Sequence, residues 1–287
     1  MKAIYKKELK GLFNNMTGYV FICFILLMLG IYCTALNLNS GYANFEYVLD
    51  SMSFIFLIVV PILTMRIFSE EKHQKTDQLL YALPLKVPSI VLGKYFAMLT
   101  VFAIPTGIMC LYPPILSLYG NVPMKSAYGA IVGFFFLGAA LIAVGMFVSS
   151  LTESQIIACV VSFGTLLFSY LMTSLISLLP ATASASAVAF LLVFIAAALI
   201  VYAVTKNYFI SAILACGGAA AIAAIYFIDS SKLENAFPTV LGGLAIFDKF
   251  YNFIYGIFDI TAIVYFLTVA LIFIFLCMQS VEKRRWS

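Results

Sequence analysis

The residues that could do chemistry are few, and the charged ones gather in one place. Within "MRIFSEEKHQKTDQLLYALPLK", Met65 to Lys86, stand Glu70, Glu71 and His73, residue types from which a metal or protease site is built. His73 is the only histidine of the chain, so no second histidine-bearing segment exists to complete a ligand set. The six cysteines lie in or at the edge of apolar runs without Cys-x-x-Cys spacing and read as small buried hydrophobes. No Gly-x-x-x-x-Gly-Lys-Ser/Thr phosphate loop occurs, so the chain does not hydrolyse ATP by that route. What remains is hydroxyl groups. Ser162, Thr165, Ser169, Thr173 and Ser177 recur at spacings of four or seven in one apolar run, which places them on one side of a helix. A second run carries Ser53, Thr64 and the kinking Pro61. Such hydroxyls either pack helix against helix or line a weakly polar, uncharged translocation path. Lys94 and Asp259 fall near the ends of apolar runs and can snorkel, and the scarcity of ionisable groups within the runs argues against proton or ion coupling.

The elements that must position these residues follow from composition. The chain is 64% apolar, 16% aromatic and 10% charged, with a mean hydropathy of +1.10. It has too little polar surface to coat itself in water. In lipid every backbone N–H and C=O must be paired internally, and long continuous apolar runs make that pairing helical. The expected fold is an all-α polytopic membrane protein with about eight spans, near 17–37, 51–68, 90–118, 128–149, 155–179, 187–205, 208–228 and 259–280. The first run is too long for a signal core and lacks a cleavage site, so it reads as a span. With the N-terminus in the cytoplasm, thirteen of the sixteen Lys and Arg residues fall on cytoplasmic segments, and only Lys125, Lys232 and Lys249 fall outside. Both termini are then cytoplasmic. Residues 1–16 read as an amphipathic N-terminal helix and 187–228 as a helical hairpin after a small-residue outer turn. The outer stretch 229–258, dense in aromatics, reads as a loop with an interfacial helix. The pair Gly129-x-x-x-Gly133 reads as close helix packing. No basic block or nucleic-acid motif is present.

The charged stretch lies between spans two and three. It reads as a helix over 69–83, with Ser69 as N-cap, Glu70 and Glu71 in the first turn, and an apolar face of Leu79, Leu80 and Leu83 stopped by Pro84. Held between two membrane helices it is either a lever to be pushed or a solvated loop whose charges fix topology.

The residues Phe68, Glu70, Glu71, Lys72, Thr76, Leu79, Leu80, Pro84, Gly93 and Lys94 resemble a pattern of the permease subunits of type 2 ABC exporters. The pattern departs at Lys75, where the family usually has Gly, and at Gln78, where Glu is common. "IYKKELKGLFNN" resembles the family's opening amphipathic helix, and the ending "EKRRWS" resembles the branch related to gliding-motility permeases. The resemblance covers the first five spans and the last. Spans six and seven are an addition to the family's usual six. It implies a dimer, of one permease or two related ones, driven by a separate ATPase subunit that binds the ATP and Mg, in a bacterial cytoplasmic membrane. Ser69, Glu70, Glu71, Lys72, Thr76, Leu79 and Leu80 would couple to that ATPase. Pro61, Thr64, Ser162, Thr165, Ser169 and Thr173, on spans two and five, would line the path. The charged stretch then meets the ATPase, and an auxiliary membrane or extracytoplasmic subunit is a further partner. The resemblance implies no catalytic or metal-binding residues in this chain. A gradient-driven transporter or channel is the rival class, and a non-transporting signalling or anchoring subunit is a third.

Overall fold

The computed structural model describes residues 1–76, 86–180, 182–206, 208, 216–217 and 234–286. Every regular element among them is helical. In chain order they are α1 (Lys2–Asn14), α2 (Thr17–Cys33) with a π-helical turn over Thr34–Asn39, α3 (Glu46–Ser53), α4 (Phe56–Thr64), α5 (Arg66–His73), α6 (Val87–Met109), α7 (Tyr112–Ser117), α8 (Met124–Leu151), α9 (Gln155–Ser177), α10 (Ala183–Thr205), α11 (Ala236–Gly242), α12 (Asp248–Ile254) and α13 (Ile260–Trp286).

Five segments among the described residues are long and apolar enough to cross a membrane: Thr17–Asn39, Val87–Ser117, Met124–Leu151, Gln155–Ser177 and Ile260–Arg284. They coincide with the expected spans one, three, four, five and eight. The expected second span, 51–68, is not one rod. Glu46–Ser53 and Phe56–His73 meet at an angle of 59°, and count as a sixth crossing only if the bent pair is taken as one. The bend has a local cause. Ile55 N–H, Leu57 N–H and Ile58 N–H donate to Met52, Phe54 and Ile55 carbonyls, three residues back instead of four, which tightens the turn and redirects the chain. Phe45, Val48, Leu49 and Met52 are buried at helical spacing, and this face anchors the first limb in the core. The expected span 187–205 is α10, apolar over Ala183–Leu199. The expected span 208–228 lies outside the described residues except at 208, 216 and 217, as do Leu79, Leu80, Leu83, Pro84 and Lys232.

The chain forms two compact units, Met1–Tyr170 with Ile246–Ser287, and Leu171–Ala245. The second contains α10, packed on α11 with Phe190 edge-on to Phe237 at 5.1 Å. The first is built around α8, which is buried along most of its length against α3, α4, α5, α6, α12 and α13. In lipid, helices associate by packing and hydrogen bonds, because apolar surface gains little by leaving one apolar medium for another. Small residues on α8 supply that packing. A Cβ at Gly133 would stand 2.7 Å from the Phe253 ring, and one at Gly145 would overlap the Thr64 hydroxyl. Gly129 faces Phe258, so the Gly129/Gly133 pair is a seat for the aromatic stretch after residue 246.

The aromatics of that stretch divide. Phe247, Phe250 and Phe253 are buried in the first unit, Phe250 lying 6.1 Å from Phe134, whereas Tyr255 and Phe258 are exposed. Asp259 does not snorkel. It accepts from Thr261 N–H at 2.8 Å and from Asn252 Nδ2 at 2.9 Å, and so caps α13. These hydrogen bonds hold its carboxyl below the usual aspartate value.

Candidate coupling site

The charged stretch opens with α5, which continues α4 across Met65 with Pro61 inside the rod. Proline has no N–H, so the Leu57 carbonyl loses its usual partner and the rod is weakened there. The start of α5 is capped from another helix. The Ser149 hydroxyl, near the end of α8, accepts from Phe68 N–H at 3.3 Å and Ser69 N–H at 3.4 Å, and donates to the Met65 carbonyl at 3.1 Å. Ser69 is therefore not the N-cap expected of it. It sits inside α5, fully buried, and its hydroxyl also donates to the Met65 carbonyl.

The expected single helix over 69–83 is also corrected. The helix stops at His73, and Lys75 has φ of +56°, the left-handed conformation in which helices commonly end. Thr76 N–H closes the cap on the Glu71 carbonyl at 3.0 Å, with its hydroxyl donating to the same oxygen at 3.3 Å. Glycine adopts this conformation without a Cβ penalty, which is the physical reason for a Gly preference at position 75.

Lys94 carries the largest surprise. It does not snorkel: its side chain is fully buried. Its ammonium lies 2.9 Å from Glu71 Oε2 and 3.3 Å from Glu8 Oε1, donates to the Ile67 carbonyl at 2.8 Å, and stands 5.0 Å from the Phe68 ring centre. The second oxygen of Glu71 takes Lys7 at 3.2 Å. Burial pulls the Lys7 ammonium down, but the carboxylates of Glu71 and Glu8 outweigh it and leave it raised. The neighbouring Gly93 completes the joint. A Cβ there would press on Ile4 at 3.1 Å, so glycine lets α1 lie on α6 close enough for Glu8 to reach Lys94. Tyr5 OH and Thr100 Oγ1, 2.9 Å apart, hold the same pair of helices.

The other flank of α5 is tied to the end of α8. Lys72 is buried and donates to the Ser150 carbonyl, where a helix C-terminus favours a cation. Ser280 of α13 donates to that carbonyl at 3.1 Å, and Arg284 pairs with Glu153 at 2.8 Å. Of the residues expected to couple, then, Ser69, Glu71 and Lys72 turn inward, Glu70 is half-exposed, and Thr76 is exposed at the cap.

The expected path residues separate as well. Ser162, Ser169 and Thr173 share the inner face of α9, whereas Thr165 lies on the exposed face and donates to the Val161 carbonyl. Ser169 accepts Ile246 N–H at 3.0 Å. The buried hydroxyl oxygens of Ser162 and Thr173 have no hydrogen-bond partner among the described residues. Pro61 and Thr64 are buried, Thr64 donating to the Val60 carbonyl at 2.9 Å. Glu46 was not anticipated. It is 2% exposed, and its Oε2 has no partner among the described residues. The helical spacing of Phe45, Val48, Leu49 and Met52 was the available signal that this segment folds inward. No group of three or more His, Cys, Asp or Glu residues among the described residues is placed to hold a metal ion.

Among the described residues, five or six apolar crossings and an all-helical core define a multi-pass membrane protein. Residues 7–232 match the family model described as ABC-2 family transporter protein, and the chain belongs to that family. It is thus a non-catalytic membrane permease, and membership implies association with an ABC ATPase. No curated protein and no solved structure matches the chain.

Proposed function

We propose that the chain is the permease of an ATP-driven exporter in a bacterial cytoplasmic membrane, of the gliding-motility-related branch. It works as a dimer with itself or a related permease, with both termini cytoplasmic, and a separate ATPase subunit holds the ATP and Mg. The observation that carries this reading is the buried ammonium of Lys94, bound at once to α1 and α5 from its place on α6. The ATPase bears on the segment after His73, with Thr76, Leu79 and Leu80 on its side. Glu71 passes the displacement through Lys94 to α1 and α6. Ser69 and Lys72 pass it to the ends of α8 and α13. Because α4 and α5 form one rod weakened at Pro61, a push on α5 tilts the lower half of span two. The path runs along the inner hydroxyl face of α9, where the Ser162 oxygen is left for a partner outside the single chain. A path without charge favours an amphipathic or hydrophobic substrate, moved outward.

The test is co-reconstitution with the cognate ATPase. Glu71→Gln and Lys94→Met should each lower permease-stimulated ATP hydrolysis and transport about tenfold, a coupling of the usual 1–3 kcal/mol, while the two proteins still co-purify. Normal stimulation in both variants would rule out this joint as the route of coupling.

A further inference from the structure

Two grooves meet at a common rim on the surface of the first unit. One, of about 320 Å³, runs between α2 and α4. Its walls are apolar: Val20 and Phe24 on one side, Ile58 and Ile62 on the other. Val20, Ile58 and Ile62 are exposed along it. From Ile58 to Arg66 the wall climbs about 12 Å at the helical rise, most of the roughly 15 Å depth of one hydrocarbon leaflet. At the end bearing the N-terminus, Asn15, Thr17 and Arg66 line this groove and also a second one, of about 350 Å³. The second groove is polar, with Lys7, Glu70 and Gln74 on its walls.

Charge is unevenly committed around the polar groove. Lys7 and Glu71 are paired with each other. Arg66 and Glu70 have no ion-pair partner among the described residues, and Glu70 accepts only a long hydrogen bond from Gln74 Nε2 at 3.4 Å. They stand four residues apart on α5, neighbours on one helix face some 5–6 Å apart at Cβ. An apolar slot as deep as an acyl chain thus opens onto an uncommitted guanidinium with an uncommitted carboxylate beside it.

We propose that the joined grooves seat one phospholipid of the surrounding leaflet bearing a phosphoethanolamine headgroup. Its acyl chain lies between α2 and α4, its phosphate on Arg66, and its ammonium on Glu70 and the Gln74 carbonyl oxygen. The charges select this headgroup. A purely anionic one would satisfy Arg66 but face the Glu70 and Glu71 carboxylates in the same groove. A choline has no N–H to donate to Glu70, whereas a primary ammonium donates three. The polar groove shares Lys7, Glu8 and Glu71 with the Lys94 joint, but the groups assigned to the headgroup, Arg66, Glu70 and Gln74, take no part in that joint, and the site does not depend on how the permease is driven.

The experiment titrates the detergent-purified full chain with phosphatidylethanolamine, phosphatidylcholine and phosphatidylglycerol of identical acyl chains, read by native mass spectrometry. One phosphatidylethanolamine per chain is expected, held about tenfold more tightly than the other two, the ratio that 1.4 kcal/mol of binding provides. Glu70→Gln should erase the preference over phosphatidylcholine, and Arg66→Ala should weaken all three lipids. Ile62→Trp fills the slot from an exposed position and should remove the bound lipid while leaving the melting temperature unchanged. Equal retention of the three lipids, or a preference that survives Glu70→Gln, overturns the proposal. So does Ile62→Trp altering the oligomeric state while lipid retention stays the same, since a second copy would then occupy the slot.

Discussion

Two buried charges, one at each end of the first unit, are treated in opposite ways. Lys94 is surrounded by two carboxylates, a carbonyl and an aromatic face. Glu46, almost as buried, keeps one carboxylate oxygen without a hydrogen bond among the described residues. Placing a charge in low dielectric is costly unless its partners are in place, so the first site is held by its partners and the second is less fully satisfied. At the Lys94 joint the buried ammonium has fixed partners on two other helices. At Glu46 one carboxylate oxygen is left open, on the first limb of the bent pair.

The largest test of this contrast is Lys94→Met. Deleting the ammonium leaves Glu71 and Glu8 with only the exposed Lys7 as counter-ion, and the cost should be about 3 kcal/mol. Thermal unfolding in detergent, followed by tryptophan-independent aggregation or circular dichroism, should show a large fall in midpoint. The double variant Lys94→Met/Glu71→Gln should recover part of it, and a neutral single variant would break the comparison. Lys75→Gly acts on the same end from the backbone side. It removes a Cβ from a left-handed position and should raise stability by about 1 kcal/mol in the same assay, with the coupling segment otherwise intact. Glu46→Gln probes the opposite end. The amide keeps the shape and carries no charge, so the change should stay below about 1 kcal/mol in either direction. A loss comparable with that of Lys94→Met would show that Glu46 is as tightly partnered as Lys94.

The smallest effect separates buried from exposed charge at the basic end. The hydrogen bond and charge of Arg284 hold the exposed Glu153 carboxyl below the usual glutamate value. Its contribution is fully present above about pH 4.5 and is lost as the pH falls through the lowered native value. Glu153→Gln should flatten that part of the stability–pH curve only slightly, because an exposed pair is screened by water.

Much of the fold is legible in hydropathy alone. Five of the expected spans coincide with observed helices, since a run such as "IVGFFFLGAALIAVGMFVSS" within α8 leaves no alternative in lipid. The site is less legible, and the reason is distance along the chain. Lys94 reads as a snorkelling residue because its carboxylate partners, Glu71 and Glu8, belong to other helices, and periodicity reports only on neighbours within one element. The Ser149 cap on α5 is hidden for the same reason: a hydroxyl eighty residues away does the work expected of Ser69. The bend in the second span is not legible, because hydropathy averages over the inward face of Phe45, Val48, Leu49 and Met52, whose polar neighbours dilute it. Of the hydroxyl stripe on α9, Ser162, Ser169 and Thr173 turn inward while Thr165 and Ser177 are exposed, because spacing puts residues on one side of a helix without setting where the covered strip ends.

The Lys94 joint also bears on how the chain is made. Synthesis proceeds from the N-terminus, so residues reach the membrane in sequence order. Glu8, Ile67, Phe68 and Glu71, all the groups that receive the Lys94 ammonium, precede it in the chain. When the third span arrives with its lysine, the acceptors have already been synthesised and α1 can dock on Gly93 at once. The joint can therefore close as soon as its last member emerges, before the rest of the chain has to find its place, and the newborn permease need not carry that charge alone.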